Sequence, residues 1–321
     1  MQVSGLFRYS PLLEILVKNL YWRVKPVYNY FEKIKKENKR ISNTNVSTIK
    51  FEEIEKLLIG YGVCKGDILI VHSSMSVLKA TGLTEKEIIV RLKQLVGDSG
   101  TLAMPSIPII RNEPSGLDML DERNYASTLE YNVQKSPPWT GSLPKALIKF
   151  NGSIRSRHPL NTLTAYGPHA KKMMRGNLEG NLPTPCGVGS SWEYCYRNGA
   201  KLIALGVDLA HNLTMIHLAE DLFESSWPIS NWYRTRSFKI VDGTYEVIVN
   251  VRQRRHTWSI FYAERSFSRD LYKHEIAKYD CIDGLEISYC ESDKLINYLN
   301  TRKSQAYPYK IPFMNIISKL L

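Results

Sequence analysis

The stretch that decides the fold runs over residues 67–105 and reads DILIVHSSMSVLKATGLTEKEIIVRLKQLVGDSGTLAMP. It opens with an apolar run ending at Val71, which predicts a buried strand. Thr84 begins a capping box, so a helix is expected from there to about Leu95. A glycine-containing turn follows, and a second strand ends at Pro105. This order of strand, loop, helix and strand predicts an α/β core.

The same kinds of pattern place further elements around this core. The predicted elements are a helix over 49–61 closed by Gly62, a helix over 141–150 capped by Ser142, a buried strand over 201–207, a helix over 211–223, a hairpin over 238–251 that turns at Asp242-Gly243, and helices near 266–278 and 292–302. The proline-rich residues 106–140 are expected to form a long loop of the kind that usually carries function.

The composition is that of an ordinary globular protein. The chain has 321 residues, of which 43% are hydrophobic and 23% charged, enough for one large domain or two modest ones. Its five cysteines are an odd number without a CxxC pair, which argues against a disulfide framework or a zinc ribbon. No apolar run is long enough to span a membrane and no signal-peptide pattern opens the chain, so a cytoplasmic protein is expected.

Positive charge is concentrated at the N-terminus. The chain carries a net charge of +12, and half of it belongs to residues 1–40. We interpret residues 1–47 as a basic arm of two short amphipathic helices with a polar linker over 38–48. Residues 48–321 then form the main domain, with a core over 48–225 and a C-terminal portion over 226–321. The arm either contacts acidic lipid at the inner membrane face or packs on the body or on a second subunit of a homodimer.

Two segments carry the candidate acid–base chemistry. His158 precedes a proline, which holds its backbone extended, whereas most isolated histidines are structural. On the predicted 211–223 helix, Thr214, His217 and Glu220 recur every three residues and share one face. A carboxylate beside an imidazole fixes its tautomer and raises its basicity. The alternative is an exposed helix pair that stabilises the fold by a few tenths of a kcal/mol.

Candidate anion-binding groups are less specific. Ser73 and Ser74 follow the first predicted strand, where hydroxyls and backbone N–H groups bind phosphate or a pantetheine amide, or simply cap the next helix. Arg155 and Arg157 suit a phosphate or are solvated. The glycines over 187–191 follow a proline rather than a strand, so neither a P-loop nor a dinucleotide fingerprint is indicated. The basic charge comes without a nucleic-acid motif.

Seven motifs occur in one order and together carry a family resemblance. They are Val71-His-Ser-Ser-Met75, Thr101-Leu-Ala-Met-Pro105, Pro138-Trp-Thr-Gly-Ser-Leu-Pro144, Arg155-Ser-Arg-His-Pro159, Ala165-Tyr-Gly167, Leu205-Gly-Val207 and Thr214-Met-Ile-His-Leu-Ala-Glu220. The series resembles the aminoglycoside 3-N-acetyltransferase family over about residues 48–225, and more weakly towards the C-terminus.

The resemblance implies a fold, a reaction and a set of site residues. The fold is a mixed-sheet α/β fold distinct from the common GNAT acetyltransferases. The reaction is transfer of an acetyl group from acetyl-CoA to the amine of an amino sugar, with no metal. The residues that the resemblance assigns are Ser73, Ser74, Met75 and Gly141 for CoA, Arg155 and Arg157 for its phosphates, and His158, Thr214, His217 and Glu220 for catalysis.

The acceptor is left open by departures from the family pattern. The differences are Arg175-Gly176-Asn177 where the family often has a histidine, Leu213 between Asn212 and Thr214, and Lys79-Ala-Thr-Gly82 in place of a glycine-rich turn. Because a basic protein suits an anion, we expect a nucleotide- or lipid-linked amino sugar of surface-polysaccharide assembly. An acidic acceptor cleft would contradict this expectation. The alternatives are an antibiotic-resistance acetyltransferase and a non-catalytic, membrane-associated binding protein with an occluded CoA groove.

Overall fold

A seven-stranded mixed sheet forms the centre of the fold. The computed structural model describes residues 9–41 and 49–311, without the side chains of residues 35–41 and 210. The central strands are β1 (Ile68–Ser73), β2 (Thr101–Pro105), β4 (Ile154–Arg155), β5 (Leu163–Tyr166), β6 (Lys201–Leu205), β9 (Ala277–Ile282) and β10 (Leu285–Glu291), and a smaller sheet contains β3 (Leu129–Asn132), β7 (Tyr233–Asp242) and β8 (Tyr245–Arg254).

The order of strands in the large sheet is β4-β5-β2-β1-β6-β10-β9. The central strand β1 runs parallel to both neighbours, with Ile70 opposite Ala103 of β2 and Leu202 of β6. All other pairings in this sheet are antiparallel. The predicted mixed-sheet α/β fold is therefore confirmed, and the carboxyl ends of β1, β2 and β6 meet at one edge.

The helices lie on both faces of the large sheet and around the small one. Their bounds are α1 (Pro11–Arg23), α2 (Lys25–Ile41), α3 (Phe51–Tyr61), α4 (Met75–Leu78), α5 (Glu85–Val96), α6 (Ser142–Ile148), α7 (Ala170–Met173), α8 (Ser191–Arg197), α9 (Leu209–Asn212), α10 (Ile216–Leu222), α11 (His256–Ser259), α12 (Glu264–Lys273) and α13 (Ser292–Asn300). Thr84 makes the predicted capping box, and Gly62 ends α3 with φ of 105°.

Alternation along β1 builds two apolar layers. Ile68 and Ile70 point to a layer that includes Trp192 of α8. Leu69 and Val71 point to the other layer, which contains buried side chains of α3 and α5. Because β1 is buried on both faces, it reads as a continuous apolar run rather than an alternating one.

Several elements differ from the sequence prediction. Strand β3 lies inside the segment 106–140 that is predicted as a loop, and the helix predicted near 266–278 ends at Lys273, before β9 begins at Ala277. The predicted helix over 211–223 is two helices, α9 and α10, because residues 213–215 form a turn in which Leu213 and Met215 are buried in the core. Gly141 rather than Ser142 is the N-cap of α6. The β9–β10 hairpin was not predicted, since most side chains of the edge strand β9 are exposed and show no alternation. The predicted β7–β8 hairpin and its turn at Gly243 are confirmed.

Two helices, α1 and α2, lie within the segment predicted as an N-terminal arm, of which residues 1–8 lie outside the described part of the chain, and α1 packs on the body of the protein. Its Ile15 belongs to an apolar cluster with Trp258 and Tyr309. Helix α2 extends through Ile41, into the segment predicted as a linker, and residues 42–48 lie outside the described part of the chain. No helix within the described ranges is long and apolar enough to cross a membrane.

Candidate active site

A cleft of about 1040 Å³ opens at the carboxyl ends of the parallel strands. His72 and Ser73 of β1, Pro105 of β2 and Val207 beyond β6 all line it. Open α/β sheets place ligand sites at this edge because the strand ends and their loops leave a crevice there. The cleft is open, so the occluded groove expected for a non-catalytic relative is not found in the described part of the chain.

The serine turn and the glycine loop lie side by side in this cleft. Ser73, Ser74, Met75 and Gly141 all line it. The Ser74 amide donates to the Leu205 carbonyl at 3.0 Å, which ties the turn to β6. Gly141 has φ of 122°, and a Cβ built there would lie 4.0 Å from the Ser73 carbonyl oxygen. The four residues predicted to hold CoA are thus together.

The two arginines predicted for the CoA phosphates lie elsewhere. Arg155 is buried, and its guanidinium donates to the carbonyls of Val133, Ser136 and Ser106 at 2.9, 2.7 and 2.5 Å. Arg157 pairs with Asp242 of the β7–β8 hairpin at 2.8 Å. Arg155 therefore organises the loop over 106–140, and the structure does not bring either guanidinium into the described cleft lining.

His217 and Glu220 form the central pair of the cleft. Nδ1 of His217 lies 3.0 Å from Oε1 of Glu220. Both residues line the cleft, with the His217 side chain 19% exposed and the Glu220 side chain 3% exposed. Among the described residues, the hydrogen-bond partners of this imidazole are at Nδ1. A proton on Nδ1 facing Glu220 leaves Nε2 as an acceptor for a substrate proton.

The surroundings of this pair favour a neutral imidazole beside a carboxylate. Burial lowers the pKa of His217, and the nearby Arg254 guanidinium lowers it further, which outweighs the opposite effect of Glu220. Burial raises the pKa of Glu220, but His217, Arg254 and the Tyr309 hydroxyl outweigh that effect and hold it below its ordinary value. A neutral histidine backed by an ionised glutamate is the protonation state that a general base requires.

Thr214 and His158 have different positions. Thr214 lies in the turn between α9 and α10 and lines the cleft, with its hydroxyl 3.5 Å from the Asn212 carbonyl. His158 is buried, and its ring nitrogens contact the carbonyls of Leu160 at 3.1 Å and Pro183 at 3.4 Å. Burial lowers the pKa of His158 to about 4. The cleft lining passes through its neighbours Pro159, Leu160 and Asn161 rather than through its ring.

The C-terminal portion supplies two residues that the motif analysis did not assign to the site. Tyr309 donates to Oε1 of Glu220 at 2.6 Å. Nη1 of Arg254 lies 3.2 Å from Nδ1 of His217 and 3.6 Å from Oε1 of Glu220, and it also donates to the Tyr309 hydroxyl. Glu220 accepts a hydrogen bond only from a protonated Nδ1, whereas Arg254 donates only to an unprotonated Nδ1. The two contacts therefore favour opposite tautomers of His217. Nothing local in the sequence links Arg254 or Tyr309 to His217.

A second carboxylate lies next to Glu220. Asp221 lines the cleft and accepts hydrogen bonds from the Tyr233 hydroxyl at 2.6 Å and the Cys186 amide at 2.9 Å. Burial raises the pKa of Asp221 to about 7. The charge of the adjacent Glu220 carboxylate adds to this upward shift.

The cleft lining is acidic although the chain is basic. Its described residues include four carboxylates, one arginine and no lysine; the carboxylates are Glu113, Glu220, Asp221 and Glu264. Glu264 pairs with His211 at 3.0 Å and with Lys18 of α1 at 2.9 Å. Glu113 makes a bidentate pair with Arg236. Carboxyl groups outnumber the arginine and lysine side chains in this lining, so the expectation of an anionic acceptor finds no support here, although each of the four has a hydrogen-bond or ion-pair partner.

Comparison with known proteins gives the family to which the chain belongs. The family model described as aminoglycoside 3-N-acetyltransferase matches residues 70–302. The aminoglycoside N(3)-acetyltransferase IX of Micromonospora chalcea is 28% identical over 194 residues, which cover 58% of this chain and 66% of that protein, just under two thirds of its length.

Two solved structures have the same fold. AAC-IIIb, solved as a binary complex with CoASH, superposes with a TM-score of 0.65 and 20% identity, covering 82% of this chain and 99% of the other. A mutant of aminoglycoside acetyltransferase AAC(3)-IVa, solved in complex with apramycin, gives a TM-score of 0.60 and 21% identity, covering 82% and 95%. The chain belongs to the aminoglycoside 3-N-acetyltransferase family.

Proposed function

We propose that this member of the aminoglycoside 3-N-acetyltransferase family transfers an acetyl group from acetyl-CoA to an amine of an aminoglycoside-type amino sugar. The observation that carries the proposal is the 3.0 Å pair of His217 and Glu220 in a cleft that also contains the serine turn and Gly141. Acetyltransferases solved with CoASH or with apramycin share the fold, which supports the assignment.

His217 acts as the general base. An amine with an ordinary pKa near 10 is mostly protonated at neutral pH and must lose a proton to become a nucleophile. The Nε2 atom of a neutral His217 accepts that proton, and Glu220 stabilises the imidazolium that results. Such proton transfer contributes about 10²- to 10⁴-fold in rate. The Thr214 hydroxyl is available to stabilise negative charge on a carbonyl oxygen.

The donor side of the cleft fits a long, mostly uncharged thioester. Acetyl-CoA supplies the acetyl group: a C–N bond forms, the thioester C–S bond breaks, and the departing thiolate takes up a proton. Ser73, Ser74 and Gly141 would hold the pantetheine portion through hydroxyl and backbone contacts. Gly141 leaves the loop without a side chain at the point where it approaches Ser73. Since Arg155 and Arg157 lie elsewhere, the phosphates would rely on other groups or on solvent.

The acceptor side suits a cation better than an anion. The lining has four carboxyl groups against one arginine and His211, whose pKa is raised to about 9 by its hydrogen bonds to Asp208 and Glu264. An aminoglycoside carries several ammonium groups, which complement such a lining. The relative from Micromonospora chalcea is named for an aminoglycoside substrate. We therefore favour the aminoglycoside over the nucleotide- or lipid-linked sugar, and the net charge of the whole chain is a poor guide to this site.

A thiol-release assay with purified protein and acetyl-CoA tests the proposal. It offers aminoglycosides and a nucleotide-linked amino sugar in parallel, together with His217→Gln and Glu220→Gln. The control is His274→Ala, which removes an exposed histidine at the end of α12. We expect turnover on aminoglycosides, a loss of about 10²-fold or more in His217→Gln, and an unchanged control.

Two other results would count against the proposal. Turnover on the nucleotide-linked sugar alone would reject the aminoglycoside acceptor while leaving the acetyltransferase chemistry intact. Full activity in His217→Gln would reject the assignment of the base. A mass spectrum of the product, showing the added acetyl group on nitrogen, completes the identification.

A further inference from the structure

Three of the four leucines of helix α1 lie on the outside of the folded protein. Leu12, Leu16 and Leu20 are 64%, 57% and 48% exposed, and they lie four residues apart on one face of the helix. Tyr9, just before the helix, is 78% exposed. A contiguous exposed apolar surface on a folded protein marks a site of interaction.

The inner face of α1 carries charges instead. Glu14 is buried and lies 3.4 Å from the guanidinium of Arg265. Lys18 pairs with Glu264 at 2.9 Å and donates to the Tyr262 carbonyl at 2.7 Å. These contacts, with the buried Ile15, fix the rotation of the helix on the body. The leucines therefore face outward because of specific contacts on the opposite side.

Exposed cations follow this apolar stripe along the chain. Arg23 and Lys25 are exposed where α1 gives way to α2, and Lys33 is exposed on α2. Residues 1–40 contain nine Lys or Arg and three Asp or Glu. A row of leucines beside a concentration of positive charge is the pattern of a helix that lies in the interface of a membrane with anionic lipid.

We propose that the outer face of α1 docks on an anionic lipid surface, with Leu12, Leu16 and Leu20 buried among the acyl chains and the neighbouring cations at the headgroups. A second copy of the chain is the competing occupant. A symmetric contact between two copies would bring the same basic segments against each other, and like charges at short range oppose association. Anionic lipid instead complements both the apolar and the charged features.

The test measures co-sedimentation of the full chain with vesicles of phosphatidylcholine, alone and with added phosphatidylglycerol, at low and high salt. The variant is the triple substitution Leu12→Gln/Leu16→Gln/Leu20→Gln. The control is Val188→Gln/Ile248→Gln, which changes two apolar residues that are more exposed than the three leucines and lie far from α1 in the chain. Light scattering determines the oligomeric state, and the acetyl-CoA assay checks that each variant is folded.

We expect the wild type and the control to bind phosphatidylglycerol vesicles in a salt-sensitive manner, and the triple variant to bind at least tenfold less. Activity on a soluble acceptor should not change, because the stripe faces away from the contacts that hold α1 to the body. Absence of wild-type binding, or equal binding by the triple variant, would overturn the proposal. A wild-type dimer that the triple variant converts to a monomer, without vesicle binding, would assign the face to a second copy.

Discussion

Tyr309 donates a 2.6 Å hydrogen bond to Oε1 of Glu220, although 89 residues separate them in the chain. The same oxygen lies 3.0 Å from Nδ1 of His217. The C-terminal portion therefore completes the environment of the candidate base, and Tyr309 is a positioning residue that acts through Glu220. Its hydroxyl also stabilises the ionised form of that carboxyl group by lowering its pKa.

Tyr309→Phe tests this relationship directly. The substitution removes one hydrogen bond to a buried carboxylate, an interaction of about 1.5–3 kcal/mol, so we expect kcat to fall roughly 10- to 100-fold. Loss of the donor also raises the pKa of Glu220, which moves the acid limb of the pH–rate profile upward. Tyr307→Phe is the control, because the Tyr307 hydroxyl contacts Asp270 rather than the pair. Equal losses in the two variants would indicate a general packing effect.

Arg254→Gln should change the pH dependence through His217. The Arg254 guanidinium, after burial, is the largest contributor that lowers the pKa of His217. A base with a lowered pKa stays neutral to lower pH, so the wild type should keep its activity below pH 6.5. Removing the positive charge raises the pKa of His217, and the acid limb of kcat/KM should then move to higher pH.

The control for Arg254→Gln is Arg255→Gln, whose side chain pairs with Glu122 and the Tyr233 carbonyl. The profiles are compared with saturating acetyl-CoA and the acceptor varied. An Arg254→Gln profile that coincides with the wild type would mean that His217 is not the titrating base.

His158→Ala separates a structural role from a catalytic one. The ring is buried against two backbone carbonyls, so its removal should lower the free energy of unfolding by about 2–4 kcal/mol. At a temperature where the variant is folded, kcat should fall less than threefold. A loss of activity comparable to that of His217→Gln would place His158 in the reaction.

The same variant has a signature in the pH dependence of stability. The pKa of His158 is lowered to about 4 from an ordinary 6.5. Between these values the unfolded chain binds a proton that the folded protein does not, so wild-type stability falls as the pH is lowered through this window. Between pH 6.5 and 4, this proton uptake lowers the free energy of unfolding by on the order of 3 kcal/mol. In His158→Ala, this part of the pH dependence should be absent. Urea unfolding at several pH values between about 4 and 7 measures the difference.

The sequence predicts the local framework of the fold well but not its long-range pairing. The capping box at Thr84 and the strand at 68–73 depend on residues that are adjacent in the chain, so both can be predicted from the local sequence. The edge strand β9 exposes most of its side chains and gains its place only by pairing with β10. Nothing in its own composition distinguishes it from a helix end.

In the candidate active site, too, local contacts can be predicted from the sequence and long-range contacts cannot. His217 and Glu220 are three residues apart, so their pairing is a helical contact that spacing alone suggests. Arg254 and Tyr309 reach the pair only because β8 and the C-terminal segment fold against it. Arg155 precedes His158 in a motif, yet its side chain satisfies three carbonyls of another loop. The sequence motif shows which residues flank Arg155, but it does not show which distant groups its side chain binds.

Glu264→Gln should weaken the binding of a polycationic acceptor. Glu264 lines the cleft and is paired with Lys18 and His211. Its removal takes one carboxylate from Lys18 and His211, which keep Glu14 and Asp208 as partners, and makes the cleft more positive. We expect KM for an aminoglycoside to rise about 5- to 20-fold at low salt, with a smaller rise at high salt and little change in KM for acetyl-CoA. Glu246→Gln, which breaks an ion pair with Lys239 on the hairpin, is the control.

Gly141→Ala should weaken the binding of acetyl-CoA because it disturbs the backbone conformation of the loop, not because the new methyl group collides with its neighbours. Gly141 has φ of 122°, a conformation that side chains other than glycine rarely adopt, while a built Cβ meets only atoms at 3.9 Å or beyond. The loop must therefore hold a strained backbone or change its conformation beside Ser73, at a cost of about 1–2 kcal/mol. We expect KM for acetyl-CoA to rise roughly tenfold, with a smaller effect on KM for the acceptor.

Gly60→Ala is the matched control, because Gly60 lies within α3, and its new methyl group meets no atom within 4 Å. That change should leave KM as it is and stabilise the helix by up to about 1 kcal/mol. Equal KM values for acetyl-CoA in both variants would show that the loop at Gly141 does not hold the donor.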